Sequence, residues 1–417
     1  MAKSSEISGF VKPGFEAVRE AFIENFERRN ELGAACCIYH RGEKVVDLWG
    51  GVRNEATGEP WEEDTMVVVW STTKGLAGLA MALAHSRGLF DYDERISKYW
   101  PEFAQQGKDK ITIRQLLAHQ AGLFAFDEQG DKNILADLDR LAVILARQKP
   151  AWEPGTQQGY HAATLGYYQN EILRRVDPKG RSIGQYFQDE IATPLGLDFY
   201  IRLPEEIPNS RLATLRQAKI GVSTMLTMPI SLVLVAMNPR SAFRRALLGT
   251  ELSLDKERVY ARNFEIPSGG GVGTARAIAH AYSVFATGGK ELGLREETLR
   301  QLMAPPIAPL HGFRDRVLKV EIPCSLGFAR PAPKNPFGSP SSFGAPGTGG
   351  SFGFADPQAE IGYGYVLNGM GTSLVDPRDL ALRTAMYRSI GETDLYQWAS
   401  YEVPEIGTEQ TKSSRKN

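Results

Sequence analysis

Apolar residues recur at helical spacing near the start of the chain and then change to short runs. Within 13–30, four apolar residues lie three or four positions apart, namely Phe15, Val18, Phe22 and Phe26. This spacing predicts an amphipathic helix that begins at Pro13 and lies on a sheet. In 33–52, two short apolar runs flank Arg41-Gly42-Glu43, which predicts a β-hairpin.

Helical patterns dominate from Ser71 to about residue 260, and strand patterns return near the end of the chain. Three apolar runs predict strands, namely "CSLGFAR" (324–330), "SFGFAD" (351–356) and "IGYGYVLNG" (361–369). The last two are joined across the turn residues Asp356-Pro357. A closing helix is predicted for "DPRDLALRTAMYRSI" (376–390).

Strands at both ends of the chain with helices between them predict an α+β fold. We expect an antiparallel sheet built from both ends and flanked by terminal helices, with a mainly helical region inserted. The expected units are a discontinuous sheet domain (12–70 with 263–395), a mainly helical domain (71–262) and a tail (396–417). An active site is expected between the two domains.

Composition favours a globular chain with a small neutral ligand. The 417 residues are 42% hydrophobic, and 48 Lys and Arg balance 49 Asp and Glu, so no basic surface for nucleic acid is indicated. The start of the chain has no apolar segment of the kind found in secretory signals, so we expect a cytoplasmic protein. The oligomeric state cannot be predicted from these features.

The three cysteines predict neither a disulfide framework nor a metal site. Cys36 and Cys37 are neighbours on a predicted strand and point to opposite faces, and Cys324 is distant in sequence. We expect reduced structural thiols, with no metal and no cofactor. The apolar stretch 220–237 is interrupted by Pro229 and Gly221, so we expect a buried segment and no stable membrane insertion.

Two different signatures indicate an active serine. "GGSFG" (349–353) matches the Gly-x-Ser-x-Gly elbow of α/β-hydrolases and would make Ser351 the nucleophile. An elbow requires a following helix and a later histidine, whereas Ser351 leads into a predicted strand and the last histidine is His311. The order of residues therefore excludes Ser351.

Ser71 is the better candidate because it opens a helix and has a lysine one turn further on. Ser-x-x-Lys occurs three times, but only Ser71 and Lys74 begin a segment with one apolar face. Residues three apart share a helix face, so the Lys74 amine can reach the Ser71 hydroxyl, and the Ser71 N–H is an unpaired donor of the first turn. The alternative is a serine that caps the helix and a solvated lysine.

Two further segments resemble a known superfamily when taken together with "STTK" (71–74). "PAWEPGTQQGYHAATLGYYQNEIL" (150–173) and "FGAPGTGGSFGFADP" (343–357) resemble, in order and spacing, the second and third motifs of the serine β-lactamase and penicillin-binding-protein superfamily. The variant is most similar to class C β-lactamases and family VIII carboxylesterases. The resemblance implies a β-lactamase-like fold and covers about residues 15–390.

The resemblance implies roles for particular residues. Tyr160 of "YHA" takes the place of the tyrosine of the Tyr-x-Asn motif, which exchanges protons with Ser71 alongside Lys74. Ala345-Pro346-Gly347 takes the place of the Lys-Thr-Gly motif, so the N–H of Thr348 would be the second oxyanion donor beside that of Ser71. His161 and Gly347 are expected to border the substrate.

The sequence departs from the superfamily pattern at two positions. Ala162 stands where the superfamily has an Asn that helps to hold the substrate amide, and Ala345 stands where a Lys or His faces the substrate carboxylate. Two methyl groups in place of these polar groups favour a neutral ester. We therefore expect a carboxylesterase that acts through an acyl-enzyme.

Several alternatives remain open at this point. They are a β-lactamase or peptidase-like amidase, an acyltransferase that uses an alcohol in place of water, and a catalytically silent scaffold of the same fold. His119 and His161 are interpreted as hydrogen-bonded structural residues, because no second ligand lies at metal-binding spacing. "GGGVGTA" (269–275) resembles a dinucleotide loop, but no strand precedes it and Thr274 is expected to cap a helix.

Overall fold

The computed structural model describes residues 7–126, 132–218, 238, 241–248, 262–333, 335–373 and 375–391. The apolar stretch 220–237 and the tail 396–417 lie outside these ranges. Within them, no helix is both long and apolar enough to cross a membrane.

The helices of the described residues lie mostly in the middle of the chain. They are α1 (Glu16–Arg28), α2 (Thr72–Ser86), α3 (Ile96–Tyr99), α4 (Ile113–Leu117), α5 (Lys132–Ala136), α6 (Leu138–Arg147), α7 (Thr164–Val176), α8 (Ile183–Phe187), α9 (Thr193–Leu195), α10 (Ala242–Leu248), α11 (Ala275–Ala286), α12 (Glu296–Met303) and α13 (Pro377–Ser389). Thr274 caps α11 by accepting a hydrogen bond from the N–H of Ala277, as predicted.

The strands come mainly from the two ends of the chain. They are β1 (Ile7–Val11), β2 (Gly33–His40), β3 (Glu43–Asn54), β4 (Glu59–Pro60), β5 (Val67–Val68), β6 (Phe199–Tyr200), β7 (Val272–Gly273), β8 (Cys324–Ser325), β9 (Phe328–Ala329), β10 (Phe343–Pro346), β11 (Phe352–Asp356) and β12 (Ile361–Leu367). The large antiparallel sheet has the order β1-β3-β2-β12-β11-β10-β9-β8, with β4 beside β3, and a small sheet has the order β5-β7-β6. The predicted α+β fold, with a sheet drawn from both ends of the chain, is confirmed.

The β2–β3 hairpin forms at the predicted turn. Arg41 and Gly42 have φ angles of 54° and 76°, as a two-residue turn with left-handed central residues requires. The start of the first helix differs from the prediction, because α1 begins at Glu16 and Pro13-Gly14 forms a turn before it. The φ of +93° at Gly14 is incompatible with helical backbone, which delays the helix by three residues.

Two apolar cores lie on opposite faces of the large sheet. Side chains of α1 and α13 cover one face, and α2, α7 and α11 contribute to the core on the other. Cys36 belongs to the first core and Cys37 to the second, so neighbouring residues of β2 serve different cores. All three cysteines are free and buried, in agreement with their expected structural role.

The sheet extends beyond the predicted start of its domain. β1 pairs with β3 from Ile7 opposite Gly50 to Val11 opposite Val46, so the sheet begins five residues before position 12. The predicted division between the sheet and helical domains remains a prediction. The small sheet in fact joins Phe199–Tyr200 from the predicted helical range to Val272–Gly273 from the predicted sheet range.

Candidate active site

The start of α2 presents Ser71 directly after a strained residue. Trp70 has a φ of +47°, which is rare for a bulky side chain and marks a position held by its surroundings. Ser71 itself already has helical backbone angles, and among the described residues its hydroxyl caps no N–H of the helix. The capping role that was the alternative for Ser71 is therefore absent.

Lys74 lies one turn further along α2 and faces Ser71. Its side chain is 3% exposed, and its amine nitrogen lies 3.2 Å from the Ser71 hydroxyl oxygen. The same nitrogen donates hydrogen bonds of 2.7 Å to the carbonyl oxygens of Ala162 and Ser268. The alternative of a solvated lysine is excluded by this enclosure.

The surroundings of Lys74 favour its neutral form. Burial lowers the pKa of its amine from 10.5 to about 7, because the charged form loses its hydration. A neutral amine has two N–H groups, and the carbonyl oxygens of Ala162 and Ser268 accept two hydrogen bonds. The lone pair is then left for the Ser71 hydroxyl, which is the arrangement that a general base requires.

Tyr160 completes the group of three predicted catalytic residues. Its hydroxyl is hydrogen bonded to Ser71, and its ring lies 4.9 Å from the Lys74 nitrogen. Loss of hydration raises the pKa of Tyr160 above its usual value, which keeps the phenol protonated near neutral pH. The structure thus brings Ser71, Lys74 and Tyr160 together, although Tyr160 is 86 positions away from Lys74 in sequence.

His161 lies behind Tyr160 in the protein interior. It is 0% exposed, its Nε2 accepts a hydrogen bond from the Leu123 N–H at 3.1 Å, and its Nδ1 is 2.7 Å from the Gly159 carbonyl oxygen. Burial lowers the pKa of His161 to about 3, so the ring is neutral and Nδ1 carries the proton. Both ring nitrogens are occupied, so the expected position at the substrate does not match the contacts of His161, which are those of a structural residue.

His119 holds the same segment from the other side. Its Nδ1 accepts a hydrogen bond from the His161 N–H at 3.0 Å, and its carbonyl oxygen accepts one from the Gly159 N–H at 3.0 Å. The two histidines thus fix the backbone on both sides of Tyr160, as their structural interpretation predicted.

Asp315 is a buried carboxylate that the sequence did not single out. It is 1% exposed and accepts hydrogen bonds of 2.8 Å from the N–H groups of Val317 and Leu318. It also accepts hydrogen bonds from the Tyr160 backbone and the Gln158 side chain. Desolvation raises the pKa of Asp315, and these donors partly offset the rise. Asp315 therefore holds the backbone of Tyr160 from the loop that follows α12.

The end of β10 lies directly against the residues that flank Ser71. A Cβ atom on Gly347 would come within 2.3 Å of the Val69 carbonyl oxygen and 2.8 Å of the Thr72 hydroxyl oxygen, so only glycine permits this approach. Thr348 follows Gly347 at the exposed turn between β10 and β11. The resemblance assigns the second oxyanion donor to Thr348, the residue directly after Gly347.

Ser351 also lies beside the residues that flank Ser71, in a structural context that differs from that of an elbow nucleophile. It is buried and lies directly before β11, so a strand and not a helix follows it. Its hydroxyl donates a hydrogen bond of 2.8 Å to the Val69 carbonyl oxygen. The exclusion of Ser351 as an elbow nucleophile agrees with this context.

The two alanines that depart from the superfamily pattern occupy different surroundings. Ala345 is 4% exposed on β10. Its Cβ lies so close to α2 that a Cβ added to Gly75 would be 3.1 Å away from it. Ala162 is partly exposed. It packs with Tyr160 in an apolar cluster around the site, whose other members are Phe124, Ala125, Trp152, Ala242, Ala246, Val317 and Leu318.

Ser268 is the second site residue that sequence reasoning missed. Its carbonyl oxygen accepts from Lys74, and its hydroxyl accepts a hydrogen bond of 2.7 Å from the Gly166 N–H. A Cβ on Gly166 would lie 2.6 Å from the Ser268 nitrogen, so this glycine lets α7 approach the 267–268 backbone closely. A backbone carbonyl leaves no signature in sequence. The nearest signal in the sequence is a further stretch, "PSGGGVGTARAIA" (267–279), which is also similar to the superfamily.

No metal-binding group is visible at this site or elsewhere in the described ranges. Among those residues, no three or more His, Cys, Asp or Glu side chains are arranged to hold a metal ion.

Comparison with known proteins identifies the family of the chain. A family model described as Beta-lactamase matches residues 18–386, which is most of the chain. The chain belongs to the Beta-lactamase family. The superfamily resemblance that rested on the motifs around Ser71, Tyr160 and Ala345 is thereby confirmed.

Proteins with esterase names and proteins with penicillin-binding names are both similar to the chain. The crystal structure of a family VIII carboxylesterase is 36% identical, with a TM-score of 0.79, and the match covers 92% of this chain and 100% of that one. A penicillin-binding protein homologue from Caulobacter crescentus is 35% identical, with a TM-score of 0.80 and the same coverage. "Esterase/beta-lactamase LipL" of Mycobacterium tuberculosis is 29% identical over 88% of this chain and 84% of its own length.

Proposed function

We propose that the protein is a serine carboxylesterase that cleaves small neutral esters through an acyl-enzyme. The observation that carries the proposal is the placement of the Ser71 hydroxyl between the Lys74 amine and the Tyr160 hydroxyl. Similarity to a family VIII carboxylesterase over 92% of the chain supports the same reaction.

In the proposed reaction, acylation begins at the Ser71 hydroxyl. Its oxygen attacks the ester carbonyl carbon while its proton passes to the neutral Lys74 amine. The carbonyl oxygen becomes an oxyanion, which the N–H groups of Ser71 and Thr348 stabilise. Loss of a single donor of this kind typically costs about 3 kcal/mol of transition-state stabilisation.

Collapse of the tetrahedral intermediate releases the alcohol and leaves the acyl group on Ser71. The alkoxide needs a proton, and the Tyr160 hydroxyl is positioned to pass one on from the protonated Lys74 amine. Water then attacks the carbonyl carbon of the acyl-enzyme and loses a proton to the Lys74 amine. The bond to the Ser71 oxygen breaks, that oxygen takes up the proton, and the carboxylic acid is released.

The lining of the site supports an ester over a β-lactam. The resemblance assigns amide recognition to position 162 and carboxylate recognition to position 345, and both residues are alanine. Ala162 belongs to an apolar cluster with Phe124 and Trp152, whose rings are stacked at 5.5 Å. Such a surface favours an apolar acyl or alcohol group with no charge. Gly347 borders the proposed substrate position, where a side chain would block the turn.

The proposed partner is therefore a small-molecule ester. We also propose a cytoplasmic location, because the three cysteines are unpaired and buried, as is usual for proteins of reducing compartments.

The experiment that tests the function compares two classes of substrate. A series of p-nitrophenyl esters of increasing acyl length is measured beside a chromogenic cephalosporin, and kcat/KM is determined for each. We expect short esters to be cleaved well and the cephalosporin poorly or not at all. A higher kcat/KM for the cephalosporin would reject the carboxylesterase in favour of a β-lactamase.

A further inference from the structure

The turn that leads from β10 to β11 is hydrogen bonded to Val69 and Thr72, which lie on either side of Ser71. We infer that Ser351 is a positioning residue that sets the distance between the two proposed oxyanion donors, the N–H groups of Ser71 and Thr348. The inference rests on the proposed function, because it concerns the same oxyanion site.

The hydroxyl of Ser351 takes part in two contacts whose direction follows from the chemistry of the groups. It lies 2.8 Å from the Val69 carbonyl oxygen, which can only accept, so the single Ser351 hydroxyl hydrogen is directed there. The Thr72 hydroxyl oxygen lies 3.2 Å from the Ser351 oxygen and must therefore be the donor of that second contact. Thr72 and Val69 lie on either side of Trp70-Ser71, so one hydroxyl links both flanks of the nucleophile.

The backbone of Ser351 closes the other half of the link. Its carbonyl oxygen accepts a hydrogen bond of 2.7 Å from the Gly347 N–H, the residue before Thr348. The Gly350 N–H donates back to the Gly347 carbonyl oxygen at 3.2 Å, which completes a tight turn. Thr348 is thus held inside a turn whose closing residue is Ser351.

These contacts form one connection from the Thr348 turn to the Ser71 backbone. They run from Thr348 through Gly347 and Ser351 to Val69 and Thr72. The strained Trp70 lies between Val69 and Thr72, the two residues that contact Ser351. Strain of this kind persists only where neighbouring contacts enforce it. Without the Ser351 hydroxyl, the turn and the start of α2 lose their direct side-chain link.

Hydroxyl deletion at Ser351 and Thr72 tests the inference, with Ser342→Ala as the matched control. Ser342 is a buried serine directly before β10, and among the described residues its hydroxyl has no hydrogen-bond partner. The measurements are kcat and KM for p-nitrophenyl butyrate per active site titrated with a fluorophosphonate, and the inhibition constant of phenylboronic acid. The boronate forms a tetrahedral adduct with a serine oxygen and therefore reports on the oxyanion site.

Loss of one oxyanion donor costs about 10²- to 10³-fold in kcat, so misplacement in Ser351→Ala is expected to lower kcat by about tenfold or more. KM should stay within about twofold, and the boronate should bind more weakly by the factor lost in kcat/KM. Thr72→Val removes only the hydrogen-bond donor to Ser351. It should lower kcat and weaken boronate binding as Ser351→Ala does, but by a smaller factor. Thr72→Ser keeps the hydroxyl and should retain more activity than Thr72→Val. Ser342→Ala should match the wild type.

The pH midpoint of kcat/KM should not move in Ser351→Ala, because Lys74 keeps its contacts. The inference would be overturned if Ser351→Ala kept the wild-type kcat per titrated site and the wild-type boronate affinity, even in a less stable protein. A wild type that cleaves no ester and takes no label at Ser71 would instead reject the proposed function. The two failures are therefore distinguishable.

Discussion

The Lys74 amine nitrogen lies 3.2 Å from the Ser71 hydroxyl oxygen while both hydrogens of a neutral amine are directed to backbone carbonyls. Those carbonyls belong to Ala162 and Ser268, which come from two segments distant in sequence. Only the lone pair is left for Ser71, so the arrangement serves a base when the amine is neutral. The chemistry of the site therefore depends on the protonation of Lys74.

The first prediction is that kcat/KM for an uncharged ester rises with pH through a midpoint near the Lys74 pKa of about 7. Below that pH the amine is protonated and has no lone pair for the Ser71 proton; above it the base is free. The measurement is a pH profile of kcat/KM with p-nitrophenyl butyrate. A profile that stays flat from about pH 5.5 to 8.5 would remove Lys74 as the titrating base, since its pKa lies within that range.

Lys74→Ala should abolish this rise together with most of the turnover. A positioned general base contributes about 10²- to 10⁴-fold, so a loss of that size is expected. Lys108 offers a control, because it is also buried and donates to three backbone carbonyls, which belong to Gln105, Ala146 and Gln148 and not to the site. Lys108→Met should lower thermal stability and leave the pH midpoint unchanged.

The second prediction concerns the Tyr160 hydroxyl. Tyr160→Phe removes the hydrogen bond to Ser71 and keeps the ring beside Lys74, so kcat should fall by about 10²- to 10⁴-fold with little change in KM. Tyr167→Phe is the matched control, because the Tyr167 hydroxyl is buried and has no hydrogen-bond partner among the described residues. Turnover in Tyr160→Phe equal to that of Tyr167→Phe would exclude the hydroxyl from proton transfer.

The third prediction is that Asp315 acts on turnover through Tyr160. Asp315→Ala leaves the N–H groups of Val317, Leu318 and Tyr160 without their acceptor, and an unsatisfied buried donor costs about 1–3 kcal/mol. We expect a lower melting temperature together with a lower kcat per titrated site. Asp137→Ala removes the exposed cap of α6 and should lower only the melting temperature. Equal kcat values in the two variants would reduce Asp315 to a structural role.

Much of the fold could be predicted because its strands and helices carry local signals. The β2–β3 hairpin has a two-residue turn between apolar runs, and the last two predicted strands are apolar runs joined across Asp356-Pro357. β1 gave no such signal. It is a half-exposed edge strand of five residues, and its Gly9 lies so close to the Asp47 carbonyl that a Cβ would be 1.9 Å away.

The site was predictable only in part, because some of its groups are local in sequence and others are not. Ser71 and Lys74 share one helix turn, so their spacing in the sequence was enough to predict that their side chains meet. Tyr160 required the superfamily resemblance, since nothing in a lone tyrosine indicates its neighbours. Ser268 acts through a carbonyl oxygen and Asp315 through backbone contacts, and neither type of contact can be inferred from residue identity.

The fourth prediction addresses the two alanines that are proposed to exclude β-lactams. Ala162→Asn adds an amide at a partly exposed position, and a neutral hydrogen bond is worth about 0.5–1.5 kcal/mol. The ratio of kcat/KM for a cephalosporin to that for p-nitrophenyl butyrate should therefore rise about two- to tenfold. Ala163→Asn at the neighbouring position is the control and should leave the ratio unchanged.

A lysine at position 345 should have a larger effect on this ratio and a cost in stability. A charged hydrogen bond to the substrate carboxylate is worth about 1.5–3 kcal/mol, or roughly tenfold to hundredfold in the ratio. Ala345 is nearly fully buried beside Gly75, so the added side chain should lower the melting temperature. Pro346→Thr accompanies the change to restore the backbone N–H of the superfamily motif. A wild type that already prefers the cephalosporin would contradict the role of both alanines.

The most direct test of the account is the site of covalent labelling by a fluorophosphonate, read by intact mass and peptide mapping. We predict one label per chain, attached to Ser71, in the wild type and in Ser351→Ala. Ser71→Ala should take no label and lose ester hydrolysis. A label on Ser351, or an unlabelled wild type that still hydrolyses esters, would contradict the central claim that Ser71 carries the acyl group.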